Sequence, residues 1–200
     1  MRVSRIQAEE NRQTVIDVAS RLFREHGFDG IGLKDLMAGA GMTQGAFYKQ
    51  FESKEDLAAQ ASRRALEDAL GRWSAAAALN PGDPLSAVLD FYLSREHCTE
   101  MANGCPVVAL AADAARHGPE VRASFERGIQ DYIVLMKSWV GEPAQESGNR
   151  AIAILATMVG AVLIARAVND ERMSQQVLQA AADSVMVQAG AASSVAKQGQ

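Results

Sequence analysis

Five neighbouring residues, Gln44, Gly45, Ala46, Tyr48 and Lys49, suit close contact with a polyanion. Gln44 and Lys49 can donate hydrogen bonds to base edges or phosphate oxygens, and Tyr48 offers a hydroxyl for a phosphate. Gly45 and Ala46 are too small to hold a helix away from base edges. Lys34, Thr43 and Lys54 flank the set. Tyr48 admits a second reading, a half-buried ring that braces a helix pair. Nothing comparable suggests catalysis. His26, His97 and His117 are scattered, with no H-x-x-x-H, C-x-x-C or E-x-x-H spacing for a metal. No glycine-rich phosphate loop or G-x-S-x-G elbow is present, so neither a metal nor a cofactor is expected. Glu96 beside His97 is the nearest approach to an acid–base pair, and adjacent helical residues point apart.

The elements that would present these side chains can be read from the spacing of apolar residues. Leu33, Leu36, Met37 and Ala40 recur at i, i+3, i+4 and i+7, the stripe of a short amphipathic helix. Gly41 supplies a turn residue that accepts a positive φ. Thr43 is placed to cap a second helix, in which Phe47 and Phe51, one turn apart, face a core. Ser53 and Asp56 form an S-x-x-D signature that starts the next helix near Lys54. Two short helices around a glycine turn make the helix-turn-helix pattern, whose second helix enters the major groove. Before it, Val15, Ala19, Leu22 and Phe23 mark one face of a helix from about Gln7 to His26, ended by Gly27.

Residues 14–61 resemble the N-terminal domain of the TetR (tetracycline-repressor-like) family of transcriptional regulators. The resemblance lies in Ala19, Leu22, Phe23, Gly27 and Phe28, then in Leu36, Met37, Ala40, Gly41, Met42 and Thr43, and finally in Phe47, Tyr48, Phe51, Lys54 and Leu57. Gly32 stands where Ser or Thr often caps the first helix of the motif, and Gln50 where a His is usual. The resemblance implies an all-α fold. A three-helix DNA-binding domain with the helix-turn-helix (1–62) would join a helical-bundle domain for ligand binding and dimerisation (63–189), followed by a disordered tail (190–200). It also implies a homodimer that represses transcription from a palindromic operator in double-stranded DNA and is released by a small-molecule effector.

Charge is distributed accordingly. The net charge is −4, but residues 1–64 carry ten Lys or Arg against nine Asp or Glu, and residues 65–200 ten against fifteen. Affinity for DNA depends on charge near the phosphates, not on the total. Arg2, Arg5 and Arg12 form a basic stretch that reads either as an arm reaching the minor groove or as a solvated tail. The polar first residues do not read as a signal peptide. The longest uncharged run, 151–165, has fifteen residues, short of the roughly 20 that a bilayer needs. A cytoplasmic protein with no membrane partner is expected.

Helices continue to the end of the chain, near Leu85–Cys98, Pro106–Arg116, Pro119–Val140, Glu146–Asn169 and Ser174–Gln188, with Asn80-Pro81-Gly82-Asp83-Pro84 and Gly141-Glu142-Pro143 as breaks. Ala153, Ala156, Gly160 and Ala161 would let a second helix come close, either across a dimer or within a monomeric core. In the family, effectors bind among the fifth to eighth helices; Phe91, Tyr92, Arg95, Cys105, Phe125, Tyr132, Met136 and Met158 are the candidate lining, though each also suits a core. Gly104-Cys105-Pro106 resembles a TetR branch with Gly-Cys at the start of the sixth helix. Cys105 is then either a reactive thiol at a helix N-terminus, sensing oxidants or electrophiles, or a small buried hydrophobe like Cys98. A helical carrier or enzyme on the same scaffold is the remaining alternative.

Overall fold

The computed structural model describes the backbone of residues 5–140 and 144–195, and side chains over 5–140 and 147–190. Ten helices and no strand occur among the described residues. They are α1 (Arg5–His26), α2 (Leu33–Gly39), α3 (Gln44–Phe47), α4 (Lys54–Leu79), α5 (Pro84–Tyr92), α6 (Arg95–Thr99), α7 (Pro106–Ala114), α8 (Pro119–Lys137), α9 (Ala144–Ala167) and α10 (Glu171–Val195). They form two compact units. The first holds the described residues up to Ala69 together with Met101–Gly128, and the second Leu70–Glu100 with the described residues from Ile129 onward. Both α4 and α8 contribute to each.

In the first unit, α1 buries Val15, Ala19 and Phe23 of the expected stripe together with Ile16, while Leu22 of that stripe is only half-buried. Gly27 ends it at φ 75°, and its N–H closes the last turn on the Phe23 carbonyl at 2.8 Å. A Cβ there would also lie 2.7 Å from an Asp113 carboxylate oxygen, so backbone angle and space both require glycine. Arg5 and Arg12 belong to α1 and not to a free arm, because the helical pattern already runs through them. Arg2 lies outside the described residues. Arg24 is buried, donating to the Ser20 and Gly104 carbonyls at 3.0 and 3.3 Å and so joining α1 to the loop before α7.

The second unit is built around stacked aromatic rings. Trp73 of α4 lies 4.7 Å from Tyr132 of α8 in a stacked pair and 5.3 Å edge-on from Tyr92 of α5. All three are almost wholly buried. The helix expected over Leu85–Cys98 is broken, because Ser94 takes an extended backbone and its hydroxyl accepts from the His97 N–H at 3.1 Å, starting α6 afresh. Gly104-Cys105-Pro106 therefore precedes the seventh helix, not the sixth. Arg166 of α9 donates to the carbonyls of Cys98, His97 and Glu100 at 2.7, 3.2 and 3.0 Å, satisfying the C-terminal end of α6.

The longest packing in this unit is α9 against α10. Inward on α9 lie Ala151, Ile154, Met158, Ala161, Val162 and Ala165, while Ile152, Leu163 and Ile164 are about half exposed. A helix apolar on both sides needs cover on both. Over Ser147–Ala167 it is long and apolar enough to cross a bilayer, although Arg150 and Arg166 lie within that stretch. α10 reaches Val195, past the expected start of a disordered tail; residues 196–200 lie outside those described.

Candidate nucleic-acid interface

The helix-turn-helix is assembled from its apolar half. Leu36, Met37, Phe47 and Leu57 have no accessible surface, and Phe51 almost none. Phe47 and Phe51 stack with centroids 5.4 Å apart. Gly41 makes the turn at φ 70°, and the Met42 N–H returns to the Met37 carbonyl at 2.8 Å, completing a glycine C-cap on α2. Thr43 occupies the N-cap of α3 in extended conformation, but its hydroxyl takes no bond from the helix; Gly32, the N-cap of α2, has no side chain to offer one. The next cap is made. Ser53 Oγ accepts from the Asp56 N–H at 3.0 Å, and an Asp56 carboxylate oxygen from the Glu52 N–H at 3.2 Å.

With Phe47 inward, the other side chains of this segment turn out. Lys34, Thr43, Gln44, Gly45, Tyr48 and Lys49 are exposed, whereas Ala46 and Lys54 are half-buried. Tyr48 is 68% exposed, so it does not brace the helix pair as a half-buried ring would; it touches Phe47 edge-on at 5.3 Å and leaves its hydroxyl in solvent. A Cβ on Gly45 would meet nothing within 4 Å. All eight residues therefore fall on one short stretch from α2 to the start of α4, with two lysines and the tyrosine fully available. Gln50 turns back instead, its amide donating to Met42 sulfur at 3.9 Å.

Several residues that build this surface carry no local signal in the sequence. The Arg12 guanidinium lies 5.3 Å over the Phe51 ring and donates to the Gln50 carbonyl and to Gln60. Its charge thus serves the α1–α4 packing. His117 Nδ1 bonds Glu55 at 2.9 Å, and the Gly118 N–H donates to the same carboxylate at 2.7 Å. These bonds hold the Glu55 carboxyl below its ordinary pKa; the His117 bond contributes most, against partial desolvation. The partners lie 62 and 63 residues apart, beyond the reach of any local pattern.

The residues expected to line an effector pocket separate. Cys105 and Phe125 are buried in the first unit; Tyr92, Tyr132, Met136 and Met158 are buried in the second, and Phe91 is half-buried there. Tyr92 and Tyr132 meet through Trp73. Arg95 stands outside this packing, 63% exposed and paired with Glu171 at 2.7 Å. It lines a surface cleft of about 400 Å³ between α5 and α10, together with Leu89, Leu93, Gln175 and Leu178. His97, which the sequence left as an isolated histidine, packs on Tyr92 at 4.6 Å and bonds its carbonyl at 2.7 Å. Burial pushes its pKa down from 6.5 to about 4, further helped by Arg166 and opposed by the Tyr92 bond. Neither Cys98 nor Cys105 forms a disulfide. No cluster of metal-ligating side chains occurs among the described residues.

Comparison with known proteins agrees with this geometry. Residues 15–61 match the family described as bacterial regulatory proteins, tetR family. The chain is 34% identical over 93 residues to the HTH-type transcriptional regulator AcrR of Shigella flexneri, a match that spans 46% of this chain and 43% of that protein. It is 24% identical over 172 residues to the HTH-type transcriptional repressor NemR of Escherichia coli, covering 78% of this chain and 84% of the relative. A TetR transcriptional regulator from Chloroflexus aurantiacus superposes with a TM-score of 0.75 at 27% identity, over 90% of this chain and 94% of that one. The reduced form of E. coli NemR shares the fold, with a TM-score of 0.73 at 22% identity over 88% and 95% of the two chains. Residues 15–61 thus carry the helix-turn-helix domain of the tetR family, on a fold that the chain shares with TetR-family transcriptional regulators.

Proposed function

We propose that this regulator is a dimeric cytoplasmic repressor that reads a palindromic operator in double-stranded DNA and lets go when a small molecule binds its helical domain. The outward face of α3 and of the turn that follows it carries the reading. Gln44, Gly45, Tyr48 and Lys49 are exposed side by side above a buried Phe47. Gln44 reads base edges, Gly45 and Ala46 let the helix sit deep in the groove, and Lys34, Thr43, Tyr48, Lys49 and Lys54 take phosphates. The uncovered apolar side of α9 supports a dimer, which would bring two recognition helices to half-sites about one DNA turn apart. Titrating the protein into duplex DNA from upstream of its own gene, with mobility shift as readout, should give a salt-sensitive complex with two chains per site. Absence of such a complex, beside tight binding of a small molecule, would instead favour a carrier or enzyme on this scaffold.

A second reading rests on Cys105. It occupies the N-cap of the nine-residue α7, where the helix dipole favours a thiolate. As a thiol sensor, the protein would release DNA on oxidant treatment, and Cys105→Ser would abolish that release. A Cys105→Ser protein that is released like the parent removes this reading.

A further inference from the structure

The turn between α7 and α8 grips both approaches to the helix-turn-helix. On the entry side, the Phe28 N–H donates to an Asp113 carboxylate oxygen at 3.4 Å, and the Phe28 ring meets His117 edge-on at 4.9 Å. The Asp29 carboxylate lies 3.7 Å from His117 Nε2. On the exit side, Glu55 in the first turn of α4 takes the other ring nitrogen and the Gly118 N–H. Further along α4, Ser124 Oγ donates to the Ala59 carbonyl at 3.1 Å. All of these residues lie in the compact unit that contains α1 to α3.

The motif needs such a brace. α2 has seven residues and α3 four, too few for either to hold its shape or direction by itself. What orients α3 is the placement of the chain just before α2 and just after it, and one imidazole sits between carboxylates from those two places.

We propose that Glu55 and His117 are positioning residues for DNA binding: His117, set between Asp29 ahead of α2 and Glu55 behind α3, fixes the separation of the two ends of the helix-turn-helix and so the presentation of Gln44, Tyr48 and Lys49. Neither residue belongs to the outward set assigned above to bases and phosphates. The inference rests on the DNA-binding reading above, and its test separates the two.

The full-length chain, with Glu55→Ala, His117→Ala, the double variant and Glu55→Gln, is titrated against two fluorescent duplexes. One is the sequence that the wild type enriches from a random pool, the other a scrambled duplex of equal length; circular dichroism follows folding. Each alanine variant should weaken the enriched duplex about tenfold while scrambled-duplex affinity stays within about twofold, and the double variant should be no weaker than the singles. Glu55→Gln, which keeps an acceptor for the Gly118 N–H, should recover part of the loss. Wild-type affinity in the singles, losses that multiply in the double, or parallel losses on both duplexes each overturn the proposal. If Glu55→Ala does not fold, Glu55→Gln and His117→Ala with their double carry the same cycle. A wild type that enriches no sequence overturns the DNA-binding reading itself.

Discussion

At the scale of single residues, Gly45 separates folding from binding. A side chain there meets open space, so Gly45→Leu should leave thermal stability within the ordinary range for a helix surface, about 1 kcal/mol. It should nevertheless hold α3 off the bases and weaken operator binding more than a hundredfold, on the order of 3 kcal/mol from lost bidentate contacts. Fluorescence anisotropy beside a thermal melt checks both; equal operator affinity would move the reading surface elsewhere. His97 gives a pH signature of a different kind. Its folded pKa of about 4 lies below the ordinary 6.5, so the unfolded chain takes up the proton first as pH falls. Stability from this group is level above about pH 6.5 and declines toward pH 4, by on the order of 3 kcal/mol. Glu55, with a lowered carboxyl pKa, adds its loss only below about pH 4.5. Urea unfolding of His97→Gln should therefore show a flatter decline between about pH 6.5 and 4.5 than the parent; an unchanged slope would assign that decline to other groups.

At the scale of elements, α4 and α8 cross where Gly128 meets Leu66. A Cβ on Gly128 would stand 2.7 to 2.9 Å from three Leu66 carbons, too close for either side chain to absorb. Gly128→Ala should cost about 1–3 kcal/mol through overpacking, measured by urea denaturation, and Leu66→Ala on the same chain should give part of it back. A neutral Gly128→Ala would mean that the helices part easily. This crossing had no sequence signal, since Gly128 is simply a glycine inside a helix. The helix-turn-helix, by contrast, was legible because its determinants are local. Leu36, Met37, Phe47 and Phe51 announce their burial by spacing, and Gly41 its turn. Where the sequence misled, a nearby polar side chain had decided the backbone. Ser94 restarts a helix that the apolar pattern runs straight through; Thr43 misled differently, holding the cap position in extended backbone with no side-chain bond. The candidate site followed the same rule. The outward set on α3 could be found from neighbours in sequence, whereas His117 and Arg12 reach it only through the fold.

At the scale of the whole molecule, the half-exposed apolar residues of α9 set the assembly prediction. Replacing Ile152 and Ala156 together by Glu puts two charges on that side without touching the buried Ala151 and Ile154. The variant should sediment as a monomer at concentrations where the parent is a dimer, and should lose the parent's preference for a palindrome over a single half-site. A variant that still dimerises would place the interface on another face. DNA binding is tested by anisotropy of the wild type on the enriched duplex while salt is raised from about 50 to 200 mM. Binding should be saturable at two chains per duplex, lose on the order of a thousandfold or more in affinity over that range, and fail with Gly45→Leu. No enriched sequence, or a complex indifferent to both salt and Gly45→Leu, would contradict it.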